Sequence, residues 1–346
     1  VTAEPDWVLL PDLASRAVGG GVPWANDEFF AVRENLVTAA PPQFQPSTFG
    51  AKGQVYDGWE TRRRRIDRDG ADEAIVRLGL PGVISGVVVD TAFFTGNYPP
   101  EVSVQAVGVD GYPSPDELCA LDWVDLVPRS PVSGDTRTLF DVLSDRRFTH
   151  VRLRQHPDGG VARLRVHGTP VPDPRVIDRT WLDLAALANG GMISGCSNWF
   201  YSSPANLISP GLAAVMGDGW ETARRRDDGN DWVQVRLAGH GVVHLAELDT
   251  SHFKGNAPGW VTLTGLRADG EVELLPRTRL QPDTCHKFRL EPGADVAEVR
   301  MDILPDGGMA RLRLWGSLTD AGADDLVDRF TDSLPPGQNA APGWVR

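Results

Sequence analysis

Apolar and polar residues alternate with a period of two in VRLRQHPDGGVARLRVHG (Val151 to Gly168) and again in VRMDILPDGGMARLRLWG (Val299 to Gly316). In both, two alternating runs flank a Pro-Asp-Gly-Gly turn, the pattern of a half-buried hairpin. The apolar runs GVISGVVVD (Gly82 to Asp90) and GVVHLAELD (Gly241 to Asp249) each end at Asp-Thr and open into a loop rich in Gly, Asn and Pro. Helical periodicity is scarce, so helices should be few, and DDLVDRFTDSL (Asp324 to Leu334) is one candidate. The 37 Gly and 27 Pro cut the chain into short segments. The fold class expected is all-β, a jelly-roll sandwich.

These patterns occur twice, in one order. DGWETRRRR (Asp57 to Arg65) returns as DGWETARRR (Asp218 to Arg226), RLGLPG (Arg77 to Gly82) as RLAGHG (Arg236 to Gly241), and DTAFFTGNYP (Asp90 to Pro99) as DTSHFKGNAP (Asp249 to Pro258). The period far exceeds that of solenoid repeats, so each copy is expected to be a whole domain. Residues 1–172 and 173–330 form the two repeats, and 331–346 a tail expected to be extended or disordered at its end. TPVPDPRVIDR (Thr169 to Arg179) reads as a stiff linker.

Composition narrows the function. The chain has 346 residues, 34 Lys+Arg against 47 Asp+Glu, and a formal charge of −13, which argues against a nucleic-acid partner. It contains no apolar run of membrane-spanning length and no signal-like N-terminus. Cys119, Cys196 and Cys285 form no CxxC pair and no framework, which suggests a reducing cytoplasm with the thiols in the cores. His240 and His244 in HGVVH would share a helical face, but their Gly and Val neighbours argue for a strand, where that spacing separates them by about 13 Å. No metal or other cofactor is expected.

The repeated blocks, together with DLAS (Asp12 to Ser15) and DEFF (Asp27 to Phe30), resemble the allantoicase family over roughly Leu10 to Gly316. The resemblance implies two galactose-binding-like jelly-roll domains, a homo-oligomer, and hydrolysis of allantoate to ureidoglycolate and urea in purine degradation. It assigns no catalytic residues, so these are argued from chemistry. Allantoate carries one carboxylate and two ureido groups on one carbon, and needs a cation, acceptors for N–H groups, and an acid for the departing urea.

Arg63, Arg64, Arg224 and Arg225 are shared by both copies and offer forks matched to a carboxylate. If the arginine runs are strands, neighbours alternate between faces and only about half can enter one pocket. Glu60 and Glu221 precede the arginines, and Asp57 and Asp218 begin each block. An adjacent Arg would lower such a carboxyl and suit a base, whereas burial would raise it and suit an acid; both remain open. Asp57 and Asp218 equally fit turn caps. Asp90, Asn97, Asp249 and Asn256 form a loop that suits a ligand wall or a satisfied turn. Trp59 and Trp220 fit the core better than a stacking platform.

Within that loop Phe93 and Thr95 of the first copy correspond to His252 and Lys254 of the second. This assigns proton transfer to the second copy, with Glu221, His252, Asp249 and Glu60 as catalytic candidates and Lys254 as an added cation, unless His252 merely satisfies a loop carbonyl. The rival readings are a non-catalytic pair of carbohydrate-binding-like sandwiches and a hydrolase of a related ureido acid.

Overall fold

The computed structural model describes residues 4–44, 46–66, 69–291, 293 and 295–334. The tail beyond Leu334 lies outside them. Two compact units emerge, one reaching to Thr169 and the other spanning Pro170–Asp332. Each is built on one 19-residue strand, Asp72–Asp90 or Asp231–Asp249.

In the first unit the opening half of that strand pairs with Gly21–Ala25 and Arg147–His156. Glu101–Val107 and Val124–Pro131 extend this layer. The register breaks between Arg77 and Gly82. Beyond the break the same strand pairs with Arg137–Asp141 and Arg163–Pro170, and so belongs to the second layer. The second unit repeats this plan. Asp231–Asp249 pairs first with Met192–Cys196 and Val296–Leu304, breaks between Arg236 and Gly241, and then pairs with Cys285–Arg289 and Arg311–Leu318.

The break falls on the RLGLPG and RLAGHG blocks, which explains their glycines. A Cβ on Gly79 would sit 2.4 Å from the Val18 carbonyl oxygen, and one on Gly239 2.6 Å from that of Gly322. Only a bare backbone permits such an approach. Between the layers pack the alternate residues of the long strands, Val87, Val89, Ala246 and Leu248 among them, all fully buried. Such burial stabilises each sandwich by about 2 kcal/mol per large aliphatic side chain.

The C-terminal helix runs Asp320–Ser333, beginning earlier than the pattern at Asp324 suggests. A five-residue helix, Pro115–Cys119, is capped by a reciprocal Ser114–Glu117 box. The cysteines differ from expectation: Cys119 and Cys285 are exposed and Cys196 half-buried, because the first ends that short helix and the second faces outward beside Glu247. Partial burial and the Glu247 carboxylate push the Cys285 thiol up to about 11, so it stays protonated and a poor nucleophile.

Each unit also buries an arginine. Arg163, 1% exposed, donates to the carbonyls of Ala40, Asp57 and Ala162 and to Asp57 Oδ2 at 2.8 Å. Arg311 binds the carbonyls of Gly211, Asp218 and Ala310 in the same way. Asp57 therefore acts as a counter-ion that fastens the loop ahead of Trp59. Burial alone would raise its carboxyl, but Arg163 and the Gln43 N–H outweigh this and hold it below the usual carboxylate value.

A carboxyl held low stabilises the fold above its unfolded pKa, and that contribution disappears as pH falls through the folded value. Asp57→Ala is therefore expected to cost about 2–3 kcal/mol in chemical denaturation at pH 7, with the gap from the parent narrowing below pH 4. An unchanged gap at both pH values would assign the loss to packing.

Candidate active site

The DGWE block is placed by its tryptophan. Trp59 is fully buried and donates its indole N–H to the Asp27 carbonyl at 2.7 Å, as Trp220 does to Asn198 at 2.8 Å. Both are core residues, as expected. The next residue, Glu60, is held on both sides by backbone pairing, to Ala31 and to Gly160 of the Pro-Asp-Gly-Gly turn. Thr61 N–H donates to the Gly159 carbonyl at 3.0 Å, and Arg64 N–H to Asp158 Oδ2 at 2.7 Å. The chain after Glu60 is thus wrapped around a turn almost a hundred residues away. Gly159, at φ +154°, lets that turn approach the Asn97 loop, since a Cβ there would lie 2.4 Å from Pro99 N.

This packing brings Asn97 to Glu60, its Nδ2 donating to Oε1 at 2.8 Å. A cavity of about 600 Å³ opens beside the pair, lined by Glu60, Arg63, Arg64, Arg65, Asn97 and Asp158, with Tyr98 and Phe30 as aromatic walls. Arg64 is steadied from behind by Asp72, at 3.1 Å from its Nε, and Asp72 is 4% exposed. Burial raises the Glu60 carboxyl above its usual value, opposed by the Asn97 hydrogen bond and the Arg63 charge. Of the two directions left open by the sequence, Glu60 takes the one suited to a proton donor.

The arginine run is not a strand. Strand pairing ends at Glu60, and Thr61 to Arg64 follow an irregular path around the turn, so the alternation rule does not apply and three consecutive arginines reach one cavity. Arg65, Asp158, Tyr98 and Phe30 join the cavity without being among the residues that the sequence marks as candidates. The shared PDGG blocks held a signal for Asp158, which reads locally as a turn residue.

The second repeat reproduces the framework. Asn256 donates to Glu221 at 2.6 Å, Arg225 N–H to Asp306 Oδ2 at 2.5 Å, and Arg225 Nε lies 3.3 Å from Asp231. Arg224 is exposed. Other candidates are engaged locally. Asp90 and Asp249 each accept the N–H two residues on, from Ala92 and Ser251, both at 2.8 Å. Asp218 accepts from Ala214 and Val215, and Asp57 is committed to Arg163.

His252 takes the local alternative too: its Nε2 lies 3.0 Å from the Ala213 carbonyl, and its backbone sits at φ +72°. Phe93, at φ +69°, holds the matching loop by stacking on Phe44 at 5.6 Å. The exchange of Phe for His therefore replaces one loop fastening with another. Lys254 is largely exposed, 4.0 Å from Asp283. His240 and His244 lie on one strand, near Asp295 and Ser317, and no cluster of three metal-ligand side chains occurs among the described residues.

Known proteins are similar to this chain along most of its length. The allantoicase repeat model matches residues 11–171 and 182–319. A probable allantoicase of Nocardia farcinica is 60% identical over 89% of this chain and 94% of its own length, and one of Streptomyces coelicolor 51% identical over 96% and 92%. The crystal structure of allantoicase from Saccharomyces cerevisiae superposes with a TM-score of 0.76 at 34% identity, covering 88% of this chain and 92% of that one. With both repeats matched in order and the duplicated Glu, Asn and Arg framework in place, the chain belongs to the allantoicase family.

Proposed function

We infer that the cavity of the first repeat is where this allantoicase, a hydrolase of C–N bonds, converts allantoate and water to ureidoglycolate and urea. The reading is carried by Glu60, a half-buried carboxyl with a raised pKa that is held by Asn97 and faces arginines. Arg63 and Arg64 receive the substrate carboxylate, and Asn97 and Asp158 address its ureido groups. Glu60 gives its proton to the departing ureido nitrogen as that C–N bond breaks. The remaining ureido nitrogen supplies the electron pair for an N-acyliminium carbon. Water adds to this carbon, and the Glu60 carboxylate takes up its proton and is restored. In the second repeat, Glu221, Arg224, Arg225 and Asn256 form the matching constellation, whereas Asp90 and Asp249 shape loops. The free cysteines fit the cytoplasm, where we take the chain to work as a homo-oligomer, as its resemblance to the family implies. Its acidic charge fits a small-molecule substrate, and no helix among the described residues is long and apolar enough to cross a membrane.

Measured as urea released from allantoate, Glu60→Gln is expected to lower kcat by about 10²-fold or more, because the amide keeps the Asn97 contact but donates no acidic proton. Parental kcat would remove Glu60 from the mechanism. Arg64→Lys should lower kcat/KM by roughly tenfold or more, since a point charge does not reproduce a bidentate fork. The protonated form of Glu60 is the active one, and its pKa is raised, so activity should fall with rising pH on a limb lying above the usual carboxylate range. Arg63→Ala removes a charge that opposes the shift, and should move this limb further up; a downward move would contradict the assignment.

A further inference from the structure

The second repeat keeps the recognition groups of the first but changes their surroundings. Glu221 with Asn256, and Arg225 with Asp306 and Asp231, occupy the places of their counterparts, while Arg225 Nη1 also pairs with Asp227 at 2.9 Å, where the first repeat has Ile66. Asp231 is 2% exposed, and its Oδ2 and the Arg225 Nε have no hydrogen-bond partner among the described residues. This is polar machinery kept in a buried place, where it would be costly without a use.

Three differences surround it. Tyr98, a wall of the first cavity, is replaced by Ala257. Gln155, opposite Asp72 in register, is replaced by Ile303, opposite Asp231. The third difference concerns the asparagine. Asn97 donates one amide N–H to Glu60, and its other has no acceptor among the described residues, so it can meet a ureido oxygen. Asn256 is engaged twice, by Glu221 and by Met216 Sδ at 3.3 Å, and Met216 stands where the first repeat has Val55. A thioether is a weak acceptor that a ureido oxygen can displace. Without the Tyr98 ring, however, the far ureido group of a bound ligand is left open to water, and the departing nitrogen is not enclosed with its proton donor.

We propose that the second repeat is a separate binding site for a small ureido acid, the chemical class of the substrate, which it holds without hydrolysing. The proposal rests on the reading of the first repeat as the hydrolytic site. Its probe is N-carbamoylglycine, a ureido acid whose carbon bears only one nitrogen and so has no second nitrogen to help expel urea.

Calorimetric titration of the full chain is expected to show two equivalents of N-carbamoylglycine. Glu221→Leu should leave one equivalent. Glu60→Leu should also leave one, while urea release from allantoate drops to about one hundredth of the parent or less. Met216→Val copies Val55 on an exposed side chain, frees the Asn256 N–H, and should tighten only the second-repeat equivalent by about 3- to 10-fold. The proposal is overturned by a single equivalent in the parent, by two equivalents retained in Glu221→Leu, or by about half of parental turnover surviving in Glu60→Leu. Should the parent release no urea from allantoate, the hydrolytic reading fails, and the stoichiometry still decides whether the second repeat binds.

Discussion

The docking of the Trp-Glu bridge onto the Pro-Asp-Gly-Gly turn is the contact on which the rest of the site depends. Trp59 anchors one side of that bridge in the core, and the Thr61 and Arg64 amides tie the following chain to Gly159 and Asp158. These backbone donors leave the strand and would otherwise be buried without partners, so the turn must be in place for the segment to settle. The turn in turn leans on the Asn97 loop through a glycine that admits no side chain. Three segments distant in sequence thus become one rigid unit, which is what preorganised chemistry requires.

On this frame, burial and charge work against each other. Enclosure of Glu60 favours its neutral form, whereas Asn97 and Arg63 favour the carboxylate, and burial prevails. Asp57 carries the same group a few residues earlier with the opposite outcome, because a nearly inaccessible guanidinium and a backbone N–H overcome its desolvation. One short block therefore holds a carboxyl suited to giving a proton and another fixed as an anion. Local partners set the difference.

The two copies have drifted where contacts can be exchanged as sets. Asp27 accepts the Arg62 N–H at 3.0 Å and pairs with the Arg62 side chain; in the second copy Asn198 accepts the Ala223 N–H at 2.9 Å, and both charges are gone together. The backbone hydrogen bond, which the fold needs, survives, while the surface ion pair, which contributes little, does not. The Phe93 and His252 loops follow the same logic, with aromatic stacking exchanged for a hydrogen bond at a shared left-handed backbone position.

Period-two alternation around PDGG turns, the many Gly and Pro that cut the chain into short segments, and ordered repetition of long blocks were enough to determine an all-β sandwich in two copies and its family. These are local or repeated features, and a strand writes its burial into its own residues. The same blocks also contained Glu60, Arg63, Arg64 and Asn97. Their convergence was not legible, because the Asn97 to Glu60 contact spans 37 positions and that of Arg64 to Asp158 spans 94. Irregular chain obeys no period, so sequence spacing said nothing of which arginines share a cavity or where Asp158 and Tyr98 stand. Likewise the imidazole of His252 suits proton transfer by its chemistry, while a positive φ and a nearby carbonyl decided its partner. Protonation followed the same rule: residue type supplies a carboxyl, but only the tertiary structure decides how much water it loses and which donors replace it.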